Sequence, residues 1–119
     1  MKKSTIIKDI IFLPKRFFEV NTSIYTLLKK SGYFELHNQI NEADIIEQLT
    51  QHLECIDGWL RLSENKRSSS GWYFKQDDNS KYVVGYFPLK ENLGVTEYLD
   101  KVEACAAFIK REIEDIRTA

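Results

Sequence analysis

Cysteine and proline are scarce in this sequence, which contains two of each among 119 residues. Two cysteines, Cys55 and Cys105, are too few for the disulfide framework of a small secreted protein. Both fall among apolar residues at helical spacing, so we expect reduced thiols in a helical core. Each proline is expected to interrupt regular structure: Pro14 ends or restarts a helix, and Pro88 ends a strand.

The sequence also lacks a hydrophobic run long enough to span a membrane. Its start, MKKSTIIKDIIFLPKRFF, is similar to a signal peptide in having a basic beginning and an apolar centre. Lys8 and Asp9 interrupt that centre, however, and no small-residue cleavage site follows. We therefore expect a cytoplasmic protein that does not bind membranes.

Net charge is low as well. The formal charge is −1, which argues against a nucleic-acid binder that relies on bulk positive charge. The charges are unevenly placed: residues 1–40 contain seven Lys/Arg and three Asp/Glu, and residues 41–119 contain ten and fifteen. The two parts thus carry about +4 and −5, which would polarise the surface if they lie on different faces.

The composition is that of a globular protein. Apolar residues make up 43% of the chain and charged residues 29%, which argues against wholesale disorder. A chain of this length has room for one core. We therefore predict a single α+β domain over residues 1–119. Within it, residues 1–20 form either a short helix or an arm that orders only against a partner.

Helix-start and helix-stop signals predict two further helices in the first half. One begins after residue 22 and ends at Gly32, a residue suited to the left-handed conformation beyond a helix end. The next is capped by Asn41 and ends at Asp57-Gly58, where the chain is predicted to turn into a sheet.

Three aromatic and β-branched runs, at residues 59–63, 72–74 and 82–87, predict a three-stranded antiparallel meander. Polar segments connect the runs, and Asp77–Ser80 is typical of a hairpin turn. A long C-terminal helix, capped near Thr96, is predicted to pack on the sheet. Its apolar residues recur at intervals of three and four: Val95, Leu99, Val102, Ala106, Ile109, Ile113 and Ile116.

The loop between the first two predicted strands is the candidate binding site. Eight residues from Ser63 to Ser70 are long for a hairpin loop, and long loops on rigid strands often carry binding residues. Its basic residues suit a carboxylate or phosphate, and the aromatic residues after it offer a stacking face. The alternative is a solvated turn held by local ion pairs. The predicted partner-binding residues are Trp59, Glu64, Lys66, Arg67, Ser69, Trp72 and Tyr73.

Other chemistries find less support in the sequence. The run Ser-Ser-Ser-Gly after Lys66-Arg67 lacks the glycine spacing and the following Lys-Ser/Thr of a phosphate-binding loop. A grouping of His52 with Cys55 lacks the paired spacing typical of metal ligands. No carboxylates lie in a recognisable catalytic pattern. We therefore predict a protein that is not an enzyme, with no catalytic residues, no metal and no cofactor.

The runs SENKRSSSGWYF and KYVVGYF resemble a group of small uncharacterised bacterial proteins with the signature E-[DN]-K-R-x-S-x-G-W-Y…VVGY. The resemblance covers about residues 24–87 and is specific over the hairpin. Such proteins can occur near toxin genes, which implies immunity partners of secreted or contact-delivered toxins. Immunity proteins are often strongly acidic, and this chain departs from them in being nearly neutral.

The leading interpretation is a non-enzymatic protein–protein interaction module, an immunity-type inhibitor that neutralises a bacterial toxin. The alternative is a small RNA- or ligand-binding regulatory domain that uses the same charged loop. The basic and aromatic residues of its single-strand platform would be Lys66, Arg67, Trp72, Tyr73, Tyr82 and Tyr86. A third interpretation is dimerisation through the final helix. We expect a protein partner rather than nucleic acid or membrane, and a chain that is a monomer or a weak dimer.

Overall fold

The computed structural model describes residues 2–20, 22–65, 71–87 and 95–118. The elements in chain order are α1 (Lys3–Ile11), α2 (Leu13–Glu19), α3 (Ile24–Ser31), α4 (Tyr33–Leu36), a 3-10 turn (His37–Gln39), α5 (Glu42–Gln51), α6 (Glu54–Asn65), β1 (Gly71–Gln76), β2 (Tyr82–Phe87), β3 (Val95–Tyr98) and α7 (Lys101–Thr118). The strands form one antiparallel sheet in the order β1-β2-β3, and α7 packs on it. The predicted α+β fold, with a three-stranded meander and a long C-terminal helix on the sheet, is confirmed.

Two of the predicted helix boundaries are confirmed by their capping geometry. Gly32 follows α3 with φ 93, a left-handed backbone that a residue with a side chain rarely adopts. Asn41 accepts a hydrogen bond from the Asp44 amide, and the Asp44 carboxylate accepts one from the Asn41 amide, both at 3.0 Å. This reciprocal capping box satisfies two amides that have no partner within the helix.

The amino-terminal residues 3–19 form two helices, which favours the helix interpretation over the partner-ordered arm. Pro14 lies in the first turn of α2, where a missing amide costs nothing, so this proline restarts the helix. The isoleucines of α1 are buried in the core: Ile6, Ile7, Ile10 and Ile11. Helix α1 packs against α3, α4 and α5, and therefore belongs to the main body of the fold.

The prediction of a strand at residues 59–63 is wrong, because these residues lie in helix α6. The predicted helix end at Asp57-Gly58 is wrong as well, because Gly58 lies inside α6, against the ring of Pro14. A Cβ atom on Gly58 would lie 3.2 Å from Pro14 Cβ, so the glycine allows α2 and α6 to approach closely. The same apolar residues that alternate along a strand also fit helical spacing, since Ile56, Trp59 and Leu62 are buried together.

The predicted start of the final helix is also wrong. Residues 95–98 form β3 and pair with β2, with Val95 opposite Gly85 and Tyr98 opposite Tyr82. Helix α7 begins only at Lys101, where the Asp100 carboxylate accepts a hydrogen bond from the Val102 amide at 2.9 Å. Leu99 is 83% exposed and takes no part in the buried stripe.

One face of the sheet packs on α7 and contributes to the core. Side chains alternate along a strand, so Trp72 and Phe74 of β1 share this face with Val84 of β2. The ring of Phe74 stacks on Phe108 of α7 at 5.7 Å between centroids. The ring of Trp59 on α6 meets Phe108 edge-on at 6.0 Å. This aromatic cluster holds α6, α7 and β1 in one arrangement.

A partly buried polar network ties α4 to α7. The hydroxyl of Tyr33 donates to the carboxylate of Glu114 at 2.6 Å, and Lys110 Nζ donates to Tyr33 Oη at 2.8 Å. Arg117 donates to the same carboxylate at 2.8 Å. The hydrogen bonds from Arg117 and Tyr33 lower the pKa of Glu114 to about 2 against the opposing effect of burial. Burial raises the pKa of the Tyr33 hydroxyl well above its usual value.

Stability is expected to depend on the charge of Glu114 in acid. The pKa of Glu114 falls from 4.5 to about 2 on folding, so its stabilisation is fully present above pH 4.5 and is lost as pH falls towards 2. Replacing Glu114 by glutamine should lower the free energy of unfolding at pH 7 by about 1 kcal/mol, because solvent screens a partly exposed carboxylate. Chemical unfolding at pH values from 2 to 7 would measure the difference between the variant and the wild type.

That difference should shrink steadily below pH 4.5. Replacing Glu47 by glutamine is the matched control, because Glu47 is an exposed acid on α5 that forms no ion pair with another described residue. If the difference in the free energy of unfolding between Glu114→Gln and the wild type stayed constant from pH 7 to pH 2, the network would not stabilise the charged carboxylate.

Candidate functional site

A groove of about 520 Å³ runs along β1 between the sheet and helix α6. It is lined by Leu60, Ser63 and Glu64 of α6, by all six residues of β1 (Gly71–Gln76) and by Phe87 of β2. We call it the β1 groove. Its volume is in the range of sites that accept a small ligand or the side chains of a partner.

The sheet contributes aromatic side chains to the β1 groove. Tyr73 and Phe87 lie on the face of the sheet that points away from α7, because they alternate with the core residues of their strands. Phe87 is 52% exposed, which is high for a large apolar side chain. Val95 of β3 lies on the same face and is also exposed. The groove therefore continues into an apolar patch on the outer face of the sheet.

Gly85 determines how the ring of Tyr73 lies on this face. Gly85 is directly opposite Tyr73 in the β1–β2 register. A Cβ atom on Gly85 would lie 2.5 Å from Tyr73 Oη and 2.6 Å from Cζ, so the tyrosine ring covers the glycine. Lys75 Nζ lies 5.6 Å from the centroid of the same ring, within cation–π distance. The absence of a side chain at Gly85 thus allows Tyr73 to lie flat beside the groove.

Helix α6 contributes one apolar and one acidic side chain to the other wall. Leu60 and Glu64 are four residues apart and so lie on the same side of the helix. Leu60 is half-buried, and Glu64 is exposed. With Lys75 on the strand side, the groove has an apolar centre and one charge of each sign at its edges, the usual arrangement at a protein interface.

Strand β1 is an edge strand whose backbone groups face the β1 groove. The Phe74 amide donates to Ser63 Oγ at 2.7 Å, and the Asp77 amide donates to the Lys81 carbonyl at 2.8 Å. In β1, the backbone N–H and C=O groups of Gly71, Tyr73 and Lys75 therefore point towards β2. Those of Trp72, Phe74 and Gln76 point away from β2. The amides of Trp72 and Gln76 form no hydrogen bond with another described residue. Ser63 satisfies only the middle amide of this edge.

The structure brings three of the predicted partner-binding residues together. Glu64, Trp72 and Tyr73 all line the β1 groove, although they come from a helix and a strand rather than from one hairpin. The predicted residues Lys66, Arg67 and Ser69 lie outside the described part of the chain.

Trp72 contributes to the fold as well as to the groove. Its ring packs edge-on against Tyr86 at 5.3 Å, and Arg111 of α7 lies 5.0 Å from its centroid. Removing this side chain would disturb the contact between the sheet and α7. Trp72 is therefore a poor position for separating an effect on binding from an effect on stability.

Trp59 does not belong to the site, so its assignment as a partner contact is wrong. The side chain is 1% exposed, and its Nε1 donates to the Ile11 carbonyl at 3.0 Å. The prediction placed Trp59 on a strand next to the loop, whereas it lies on the buried side of helix α6. Its packing between helices in the core accounts for a tryptophan at this position without a role in binding.

Sequence reasoning missed Leu60, Lys75 and Phe87. The alternation along residues 82–87 placed Phe87 on the face opposite Val84, but only the packing of α7 on the Val84 face shows that Phe87 points outward. Leu60 carried no such signal, because its contribution depends on α6 being a helix beside β1.

The cysteines and histidines show no sign of a reactive centre. Burial raises the pKa of Cys55 to about 11 and raises the pKa of Cys105 as well, which keeps both thiols protonated and unreactive at neutral pH. Among residues 2–20, 22–65, 71–87 and 95–118, no three His, Cys, Asp or Glu side chains are grouped so that they could hold a metal ion. In the same part of the chain, no helix is long and apolar enough to cross a membrane.

The aromatic residues proposed for an RNA platform do not share one open surface. Trp72, Tyr82 and Tyr86 lie on the face of the sheet that packs on α7, and Tyr73 lies on the opposite face. Single-strand platforms need several rings on one exposed face. The β1 groove thus offers an apolar and backbone-lined surface rather than a stacking surface.

No family model, curated protein or solved structure matches the chain. The resemblance to small bacterial proteins of the immunity type therefore stays a prediction, and function must be inferred from the β1 groove itself.

Proposed function

We propose that this chain is a non-enzymatic protein–protein interaction module that binds a protein partner through the β1 groove and the adjoining outer face of the sheet. The observation that carries the proposal is the exposure of Phe87 beside Tyr73 at a groove with an apolar centre. Large exposed aromatic side chains at a concave surface are typical of the residues that dominate the binding energy of protein interfaces.

The architecture supports this role. The aromatic cluster of Trp59, Phe74 and Phe108 holds the two walls of the groove, α6 and β1, against α7. A rigid surface loses little conformational freedom on binding, so more of the contact energy appears as affinity. Glu64 is negatively charged and Lys75 positively charged, and they lie on opposite sides of the groove. This pair favours one orientation of a bound partner and does not select partners by their net charge.

The class of partner follows from the resemblance of residues 63–74 and 81–87 to immunity-type proteins. In this proposal the partner is a bacterial toxin, and the chain neutralises it in the cytoplasm by binding as a monomer or a weak dimer. A nearly neutral inhibitor suits a toxin whose contact surface is mainly apolar, since strong charge complementarity is not available to it.

Co-expression would test the proposal. Each open reading frame beside the gene for this chain would be expressed alone and together with the chain, and growth would be measured. We expect one neighbour to arrest growth and the wild-type chain to relieve the arrest. Purified chain should then bind that product in isothermal titration.

The β1 groove variants Phe87→Ala and Tyr73→Ala should each weaken binding by about 2 kcal/mol, because each removes an aromatic contact at the centre of the surface. Tyr25→Ala is the matched control, since Tyr25 is an aromatic residue of similar exposure, 47%, on helix α3 away from the groove. It should change binding by less than about 0.5 kcal/mol. Equal affinities for Phe87→Ala, Tyr73→Ala and Tyr25→Ala would reject the groove as the binding site.

A further inference from the structure

We propose that two copies of this chain associate edge to edge, with β3 of one copy pairing antiparallel with β3 of the other. The two sheets would then form one continuous sheet around a twofold axis at Thr96. This inference goes beyond the proposed function and does not depend on it, because β3 lies at the edge of the sheet opposite to β1 and its groove. It follows from the exposure of β3, from the direction of its backbone groups and from the order of its side chains.

Strand β3 is the open edge of the sheet. The strand order β1-β2-β3 gives β3 a neighbouring strand on one side only. Its first three residues, Val95, Thr96 and Glu97, are all exposed, although their side chains alternate between the two faces. At the other edge, by contrast, α6 packs alongside β1, and its Ser63 accepts a hydrogen bond from the backbone of that strand. The first three residues of β3 are thus open to solvent on both faces of the sheet, and Leu99 just beyond the strand is 83% exposed.

The register of the sheet determines which backbone groups of β3 point outward. Backbone groups alternate in direction along an antiparallel strand. In β2, Val83 bonds to β1, so Val84 bonds to β3, where Thr96 lies opposite it. The N–H and C=O groups of Val95 and Glu97 therefore point away from β2. Within the described part of the chain, no residue forms a hydrogen bond with the amide of Val95 or Glu97. Both residues thus offer a donor and an acceptor to a further strand.

The order of side chains along β3 favours a second copy in one register. When Val95 of one copy lies opposite Glu97 of the other, both outward residues of each copy are paired, and Thr96 lies opposite itself on the twofold axis. Threonine pairs across antiparallel strands are stabilising. A shift by two residues would place the two Glu97 carboxylates directly opposite each other, which is destabilising. The strand is therefore complementary to itself about Thr96.

Glu97 is the residue of β3 that most opposes edge pairing, because charged side chains on an edge strand usually prevent it. Here, however, Lys81 Nζ lies 3.5 Å from the Glu97 carboxylate, so the charge is compensated within the same copy. In the dimer the carboxylate would lie opposite Val95 and would keep this ion pair. The strand has four residues, so the contact is small, and we expect a weak dimer that forms at high concentration.

The dimer would leave both β1 grooves accessible. Its strands would follow the order β1-β2-β3-β3-β2-β1, which places the two grooves at the outer edges of the joint sheet. The two β1 strands would be about 24 Å apart at 4.8 Å per strand spacing. A partner that carries two copies of its binding surface would then bind more tightly to the dimer than to the single chain.

The register gives a cross-linking test on the full-length chain. In Thr96→Cys the two thiols lie opposite each other at a non-hydrogen-bonded pair, where the Cα atoms are about 4.5 Å apart and a disulfide can form. We expect mild oxidation at millimolar concentration to give a covalent dimer on a non-reducing gel. Glu97→Cys is the matched control, because its thiol lies opposite Val95 of the other copy, and its dimer should form at least about tenfold more slowly. The wild type should give none, since Cys55 and Cys105 are buried.

Sedimentation equilibrium would measure the association without a cross-link. Proline at position 97 removes an amide that points outward and leaves the β2–β3 hydrogen bonds intact. We expect Glu97→Pro to weaken dimerisation at least about tenfold, through the lost hydrogen bond and the blocked edge. Glu97→Gln, which removes the charge and keeps the amide, should stay within about threefold of the wild type.

Three results would overturn the inference. The first is a wild-type chain that remains a monomer at millimolar concentration. The second is a covalent dimer of Glu97→Cys without one of Thr96→Cys, because the twofold axis would then not lie at Thr96. The third is a dimer that Glu97→Pro does not weaken, because the copies would then not pair through β3. None of these results bears on the β1 groove, which the variants Phe87→Ala and Tyr73→Ala test separately.

Discussion

Replacing Phe108 by alanine is expected to lower the free energy of unfolding by about 3–5 kcal/mol. Phe108 is fully buried on α7, stacks on Phe74 of β1 and meets the ring of Trp59 on α6. Its removal leaves a cavity where three elements meet, and neighbouring rings cannot close that cavity without moving a helix or the sheet. Urea unfolding followed by circular dichroism at pH 7 would measure the change.

The matched variant is Phe108→Leu, which keeps most of the buried volume and should cost less than about 1.5 kcal/mol. The urea dependence should have the same slope in both variants, since the surface exposed on unfolding hardly changes. A loss below 1 kcal/mol for Phe108→Ala would mean that the three rings do not form a sealed cluster. The rigid support that we assign to the β1 groove would then be absent.

Replacing Trp59 by alanine is expected to have an effect of similar size, about 3–5 kcal/mol, on the free energy of unfolding. The indole fills the space between α6 and α7, and its Nε1 donates to the carbonyl of Ile11. Ile11 is the last residue of α1, so no backbone amide of that helix donates a hydrogen bond to its carbonyl. The indole therefore joins the end of α1 to α6 as well as filling the core.

Trp59→Phe separates the two contributions, because it keeps an aromatic ring and removes the hydrogen-bond donor. We expect it to cost about 1–3 kcal/mol, since a buried carbonyl is left unpaired. Thermal and urea unfolding would give both values. At temperatures where the variant is folded, its affinity for the partner should equal that of the wild type. A stable Trp59→Phe variant with lost binding would show instead that the shape of the β1 groove depends on the indole.

These two variants and the groove variants act on different properties. Phe108 and Trp59 are buried and are expected to change stability, whereas Phe87 is half exposed and is expected to change binding. Measuring stability and affinity for all three would show whether the surface and its support are separate. That separation is what a small interaction module requires, because the partner must meet a surface already in place.

Local signals in the sequence correctly predicted the features that depend only on residues close together in the chain. Gly32 ends α3 in a left-handed conformation, and Asn41 caps α5, as their positions indicated. The turn at residues 77–80 was also indicated, since the Asp77 carboxylate accepts hydrogen bonds from the amides of Asn79 and Lys81. The alternation in residues 72–74 and 82–87 correctly separated the two faces of the sheet.

The two wrong predictions of secondary structure concern segments whose apolar spacing fits both a helix and a strand. The run Trp59-Leu60-Arg61-Leu62-Ser63 alternates like a strand, yet its buried residues also fit a helix that continues from Ile56. Residues 95–98 fit the stripe of the last helix, yet they pair with β2. Neither choice could be made from neighbours in sequence, because a helix needs a surface to pack on and a strand needs a partner strand.

The sequence by itself determined the fold class, the caps of α3 and α5, the hairpin turn and which residues of a strand share a face. These features depend on backbone preferences and on periodicity within a few residues. Only the tertiary structure decided that Trp59 is buried, that α6 lies beside β1 and that Leu60, Glu64 and Lys75 surround one groove. A groove exists only between elements distant in sequence, and their approach is set by the packing of Phe108, Phe74 and Trp59.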